Sequence, residues 1–262
     1  MPSVVIGNNT SAVATESIGT GSASRPHVLM GWVRTSDGIG RANNPFMGSF
    51  RISGSSGETE GNIGYVTKAT GDAPGRDVIC LSIVNWSAST VTRVQFPDIT
   101  QWYYVVLQFG SGSNSNTNMK IFNDSSLTKF IELNYFGYAT VDNIVRYMGI
   151  NNTNAATTAG AQFKHLRAFY SGAFTDAECI AQARSTAPVA HSTAVLWDAW
   201  PFDALEFTGS INNKVLKVTG TPRLAPDQPF VFINPTTLVT GSNSSVVQIS
   251  TVGYAPVIIG AR

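Results

Sequence analysis

A chain of 262 residues with 17 Lys and Arg against 16 Asp and Glu carries a net charge of +1 and only 13% charged residues. The lack of a cationic excess argues against a nucleic-acid binder, which needs a phosphate-neutralising surface, and against a polybasic membrane anchor. Its polarity comes instead from 26 Ser, 26 Thr and 19 Asn, and 43% hydrophobic residues set it apart from disordered polymers.

Short apolar runs between clusters of Gly, Ser, Asn and Asp predict strands over 4–6, 27–34, 46–53, 62–70, 77–84, 90–96, 102–109, 118–123, 128–134, 145–150, 163–171 and 194–200. Further strands are expected at 214–219, 230–233, 245–251 and 256–259. A parallel α/β fold needs a helix between successive strands, and there is no room for one here. The run 102–109 is apolar on both faces, with Tyr103, Val105, Leu107 and Phe109 on one and Trp102, Tyr104 and Val106 on the other. Such a strand is covered on both sides, or meets a partner on one. Asp124-Ser125-Ser126 predicts a hairpin between its flanking strands.

One helix has a clear start. Thr175-Asp176-Ala177-Glu178 fits a capping box, Phe174 and Cys179 occupy the staple positions, and Pro188 lies beyond the end. The helix is expected over 176–184, with Ile180 and Ala183 inward. From Arg223 onward the character changes. Pro222, Pro226, Pro229 and Pro235 space apolar pieces that include Phe230-Val231-Phe232-Ile233 and Val257-Ile258-Ile259, with Arg223, Asp227 and Arg262 as the charged groups. The expected organisation is a sandwich over 1–222 and a β extension or docking arm over 223–262.

No stretch approaches the roughly 20 apolar residues of a membrane span. The start, Met1-Pro2-Ser3-Val4-Val5-Ile6, has neither a basic region nor an apolar signal core, so synthesis and folding in a reducing cytoplasm are expected. Cys80 and Cys179 form no CxxC pair and read as small buried apolar groups.

Three pieces, in order, carry a resemblance. His27-Val28-Leu29-Met30-Gly31-Trp32-Val33-Arg34 resembles the early strand of concanavalin A-like lectin/glucanase sandwiches of the laminin-G-like type. Trp102-Tyr103-Tyr104-Val105-Val106-Leu107, followed by Lys120-Ile121-Phe122-Asn123-Asp124, is similar to their central strand pair. His165-Leu166-Arg167-Ala168-Phe169-Tyr170, followed by Phe174 to Ile180, is similar to their closing strand and capped helix. The resemblance implies an all-β, antiparallel two-sheet jelly roll with one short helix. It transmits no function, because that architecture hosts lectins, hydrolases, adhesion modules and virion proteins.

Catalytic chemistry finds little support. A retaining glycosidase needs two carboxylates about 5.5 Å apart, and the resembled hydrolases carry them as Glu-x-Asp-x-x-Glu or Glu-x-Asp-x-Glu on one strand. Here Glu58-Thr59-Glu60 lies among glycines, and Asp198, Asp203 and Glu206 lack that spacing. His27, His165 and His191 are isolated from any nucleophile signature, and a structural role is expected for the two in strands. No zinc-ligand spacing or phosphate loop occurs, so no catalytic residue, metal or cofactor is assigned. Asp37, Asp72, Asp124 and Asp142 are loop carboxylates that the resemblance makes conceivable calcium ligands, but loop Asp usually serves turns. For glycans, Trp86 beside Asn85, together with Tyr135, would supply an aromatic face and amide partners. The competing reading places Trp32, Trp86, Trp102, Trp197 and Trp200 in the core.

Assembly fits the composition better. Low net charge weakens repulsion between close-packed copies. The hydroxyl-rich surface and the Trp200-Pro201 segment after the helix look like structural proteins of tailed bacteriophages. The expectation is therefore a non-enzymatic virion protein, a capsid decoration (cement) protein or head fibre. It would be made in the host cytoplasm and bind the major capsid protein, other virion subunits and sister copies. Phe230, Phe232, Ile233, Val257, Ile258 and Ile259 would dock it. The alternative is a lectin-like receptor-binding module for host-surface glycans.

Overall fold

A computed structural model describes residues 2–6, 10–14, 27–35, 49–54, 60–67, 79–85, 90–95, 101–109, 116–124, 126–136, 145–152, 161–226, 229, 246–249 and 257–260. The chain shuttles between two antiparallel sheets, which is the jelly-roll sandwich implied by the resemblance. β1 (Ser3–Ile6) and β3 (His27–Thr35) lie in the first sheet, and β2 (Thr10–Ala14) in the second. The next four strands, β4 (Ser49–Gly54), β5 (Glu60–Thr67), β6 (Ile79–Asn85) and β7 (Thr90–Gln95), form a meander in the second sheet. The chain then returns to the first sheet for β8 (Tyr103–Phe109), β9 (Asn116–Asn123) and β10 (Lys129–Phe136). β11 (Val145–Asn152) crosses back, and β12 (Ala161–Ser171) runs through the middle of the first sheet.

The only helix among the described residues, α1 (Asp176–Arg184), follows β12, and β13 (Val195–Trp200) then pairs back onto it. Two short strands close one side of the sandwich: β14 (Lys217–Thr219) on the second sheet and β15 (Arg223–Ala225) on the first. The first sheet runs β10-β9-β8-β3-β12-β1-β15, with β13 also on β12, and the second runs β14-β2-β11-β4-β5-β6-β7. Among the described residues β16 (Val246–Ile249) and β17 (Val257–Gly260) pair only with each other, as a two-stranded sheet.

The expected extension begins at Arg223, yet Ala225, Leu224 and Arg223 pair with Ser3, Val4 and Val5 of β1. Those three residues form the edge of the first sheet.

The two-faced strand 102–109 finds a cover on each face. Trp102, Tyr104 and Val106 join Val28, Met30, Trp32, Phe122 and Phe169 in one buried cluster with Phe174, Cys179 and Ala183 of the helix segment. On the opposite face Tyr103, Val105 and Leu107 are as deeply buried, beside Leu29, Val33 and Ile121, in the interior of the sandwich. Trp32 and Tyr104 meet edge to face with centroids 5.2 Å apart, and the Trp32 indole N–H donates to the Ala183 carbonyl at 3.2 Å. Burial of this order contributes about 1.5–3 kcal/mol per large apolar side chain.

The capping box forms as its sequence dictates. The Thr175 hydroxyl accepts from the Glu178 N–H at 3.4 Å, and the Glu178 carboxylate accepts from the Thr175 N–H at 2.8 Å. Phe174 and Cys179 are both buried in the cluster under the helix, as a staple requires, and burial pushes the Cys179 thiol up to about 12. The hairpin at Asp124 also forms. Asn123 Oδ1 accepts from the backbone N–H groups of Ser126 and Thr128, and Leu127 takes a left-handed φ of 52°.

Candidate functional site

The site begins with an irregularity in β12. Lys164 pairs with Trp32 and Arg167 with Met30, so β12 spends one residue more than β3 between those points. This is a β-bulge. His165 takes a left-handed φ of 49°, and the bulge lies over Gly31, where a Cβ would stand 3.3 Å from Leu166 Cα and 3.4 Å from the His165 carbonyl oxygen. The bulge also divides the far edge of β12. Residues 161–163 pair with β1, and the register with β13 starts at Leu166.

Lys164 occupies that seam. Its side chain is fully buried, and its ammonium donates to the Pro2 carbonyl at 2.6 Å and to Asp203 Oδ1. One charge thereby ties the entry of β1 to the exit of β13. Desolvation lowers the Lys164 pKa, and the Asp203 carboxylate opposes that shift. Next to it the buried His165 imidazole is held down to about 3, first by desolvation and then by the charges of Lys164 and Arg167. Arg167 is buried on the helix side. It donates to the Gln182 carbonyl and side chain and to the Ser185 carbonyl, satisfying the C-terminal end of α1.

Beyond β13 the chain folds into a short loop built around one carboxylate. Asp198 is fully buried. Its Oδ1 accepts from the N–H groups of Ala199 (2.8 Å), Ile211 (3.0 Å) and Asn212 (3.2 Å), and its Oδ2 from that of Lys214 (2.7 Å). Gly209 is required there, because a Cβ would fall 2.0 Å from Asp198 Oδ2. Thr208 bridges to Val215, the Leu216 N–H donates to the Phe207 carbonyl, and the Trp200 indole N–H donates to the Lys214 carbonyl at 3.1 Å. The result is a rigid hairpin standing over the exit of β13.

Between that hairpin and the 201–206 segment lies an open cleft of about 330 Å3. Its polar lining is Asp203, Glu206, Thr208, Ser210 and Asn213, and Phe202 and Pro201 supply apolar wall. Phe202 and Asn213 are both held at positive φ, 59° and 55°. A smaller cavity of about 190 Å3, lined by His165, Arg167, Thr186 and Trp200 among others, shares Pro201 and Ser210 with it. Both carboxylates of the cleft are exposed, and Asp203 is engaged by Lys164.

Asn85 ends β6 in the second sheet and Tyr135 lies on β10 in the first, while Trp86 lies outside the described residues. Val257, Ile258 and Ile259 fall on β17, and Phe230, Phe232 and Ile233 lie outside the described residues, as do Glu58, Asp37, Asp72 and Asp142. Trp32, Trp102, Trp197 and Trp200 are core residues. Asp124 is buried in its hairpin turn, and among the described residues no three His, Cys, Asp or Glu gather as a metal site. Nor is any described helix long and apolar enough to cross a membrane. His191 is a strut: its Nδ1 accepts from Thr193 N–H (3.1 Å) and Ala194 N–H (2.8 Å), and its Nε2 lies 3.1 Å from Glu178.

Asp198, Asp203 and Glu206 lack the spacing of a catalytic pair in the sequence. The structure gives them different tasks, Asp198 inside the loop and the other two on the cleft. The signal that would have separated them is Gly209, whose missing side chain makes room for the Asp198 carboxylate.

No protein-family model matches this chain. No curated protein matches it either. Among solved structures, a doubly substituted family 7 alginate lyase, A1-II′, in complex with its substrate aligns with a TM-score of 0.34 and 11% identity over 58% of this chain. The match spans 64% of that lyase chain, less than two thirds of its length.

Proposed function

We propose that this chain is a non-catalytic structural protein of a virion of the tailed-phage type, a capsid decoration or head-fibre protein. In this reading the sandwich is the rigid body, and the C-terminal hairpin docks it to capsid subunits or sister copies. The observation that carries the reading is the β16–β17 hairpin, which among the described residues pairs with no strand of either large sheet. A lone two-stranded hairpin is marginal in water and needs a surface to pack against. Its strands are Val246-Val247-Gln248-Ile249 and Val257-Ile258-Ile259-Gly260, aliphatic sequence whose removal from water favours association.

The test is a chain ending at Pro226, which keeps β15 and removes the hairpin. Particle occupancy and sedimentation are measured beside the full chain, with circular dichroism to check the fold. The expected result is an unchanged β spectrum with occupancy lost at least tenfold. Undiminished occupancy takes the hairpin out of the mechanism, and absence of the chain from purified particles overturns the reading.

A further inference from the structure

We infer that the cleft beside the Asp198 hairpin is a docking socket for an arginine side chain presented by a neighbouring protein subunit. Three observations on the cleft point the same way.

The first is charge. Lys164 lies outside the cleft lining, buried behind it, and its ammonium is occupied by the Pro2 carbonyl and Asp203 Oδ1. Asp203 and Glu206 are the charged residues of the lining, and with Lys164 behind Asp203 the three groups carry one net negative charge. Lys214, on the same hairpin, lies over the Trp197 ring, 5.9 Å from its centroid, and is not part of the cleft lining. The complement is a cation.

The second is the remaining lining. Thr208, Ser210 and Asn213 add oxygen acceptors around the carboxylates, while Pro201 and Phe202 add an apolar wall. A guanidinium carries five N–H donors in a planar fork, and its three-carbon stem packs on apolar surface. A carboxylate takes that fork through two parallel hydrogen bonds. An ammonium offers three donors from one point and uses fewer of these acceptors.

The third is the rim. Leu205, between the lining residues Ala204 and Glu206, is 49% exposed, and Ile211, next to Ser210, is 51% exposed. Large aliphatic groups left in water around a polar socket fit a protein partner that covers them on docking. The socket is also preformed. Four backbone N–H groups fixed by Asp198 hold the hairpin, so little ordering is needed on binding.

The source of the arginine rests on the assembly reading, but the affinity of the cleft for it does not. Backbone amide NMR of the full chain, titrated with acetyl-Val-Arg-Val-amide and with its citrulline counterpart, measures that affinity alone. The expected result is saturable shifts at Thr208 to Asn213 with the arginine peptide, at least tenfold weaker with citrulline, and suppressed by salt. Glu206→Gln, an isosteric change at an exposed position, should weaken arginine binding at least fivefold with the rest of the spectrum unchanged. Equal response to both peptides, no response at the cleft, or full affinity in Glu206→Gln overturns the inference. So does a response to a neutral oligosaccharide in place of the arginine peptide, which would make the cleft a sugar site. A negative titration alongside particle binding through the hairpin would sink the socket and leave the assembly reading standing.

Discussion

His165 shows how one residue couples the local backbone to the behaviour of the whole chain with pH. Its φ of 49° completes the bulge, and its imidazole is buried between two cations, so the folded state keeps it neutral down to about pH 3. The unfolded chain takes up that proton near pH 6.5. Between those values the unfolded state binds more protons, so stability falls as pH falls, by up to about 1.4 kcal/mol per pH unit for one proton. Below about pH 3 both states are protonated and the difference no longer grows. His165→Asn tolerates the left-handed backbone and cannot titrate. Urea unfolding at several pH values between about 6.5 and 3 should show a slope smaller by close to one proton in the variant. Equal slopes would mean that this imidazole is not held neutral. His165 reads in the sequence as one more position of an alternating strand. The sequence carries no mark of the bulge, because what permits it is Gly31 on the neighbouring strand.

At the scale of elements, legibility follows how local the cause is. The helix is written in five consecutive residues, Phe174 to Glu178, and both its start and its Arg184 end agree with the structure. Thr175→Ala should cost about 1 kcal/mol in unfolding free energy, since it removes the hydroxyl that receives the Glu178 N–H. Thr175→Ser should restore most of it. A loss below about 0.3 kcal/mol would show that the Phe174 and Cys179 contacts hold the helix without the cap.

Strands whose apolar runs are long, such as β3, β8 and β12, are equally plain. β2, with sequence TSAVA, is not, because Ser11, Ala12 and Ala14 dilute the β signal of Thr10 and Val13, and its strand state comes from pairing with β11 and β14. β12 illustrates a partial reading. Strict alternation places Phe163, His165, Arg167 and Phe169 on one face. The bulge instead shifts the phase, so that Lys164 and Arg167 lie opposite Trp32 and Met30. A one-residue insertion of this kind turns every later side chain over. It is how a charged residue reaches the seam between β1 and β13. The cleft beyond that seam is local in sequence, within 201–213, but its acidic wall is tied to the sheet by Lys164, a contact 39 residues away.

For the whole molecule, the decisive question is where the sandwich ends. Proline content places the change at residue 223, but pairing places β15 inside the first sheet, against β1. β1 is buried throughout, and without β15 its outer row of N–H and C=O groups would become a free edge. β15 suits a terminal position: three residues long, flanked by Pro222 and Pro226, with Arg223 exposed. Short, proline-bounded and charged strands blunt edge-to-edge pairing.

Two truncations separate the alternatives. A chain ending at Pro226 keeps the edge strand and should melt close to the full-length protein. A chain ending at Pro222 loses three backbone pairings and the buried Ala225. A deficit of about 1–3 kcal/mol in a domain of this size lowers the melting temperature by roughly 2–10 °C. The exposed β1 edge should also make the shorter chain aggregate with rising concentration, visible by light scattering. Identical melting of the two would detach β15 from the sandwich and move the boundary back to 223. If the shorter chain melts lower, loss of particle binding in it cannot be assigned to the arm. Only the Pro226 chain then reports on docking, because in it the β1 edge stays covered while the hairpin is gone.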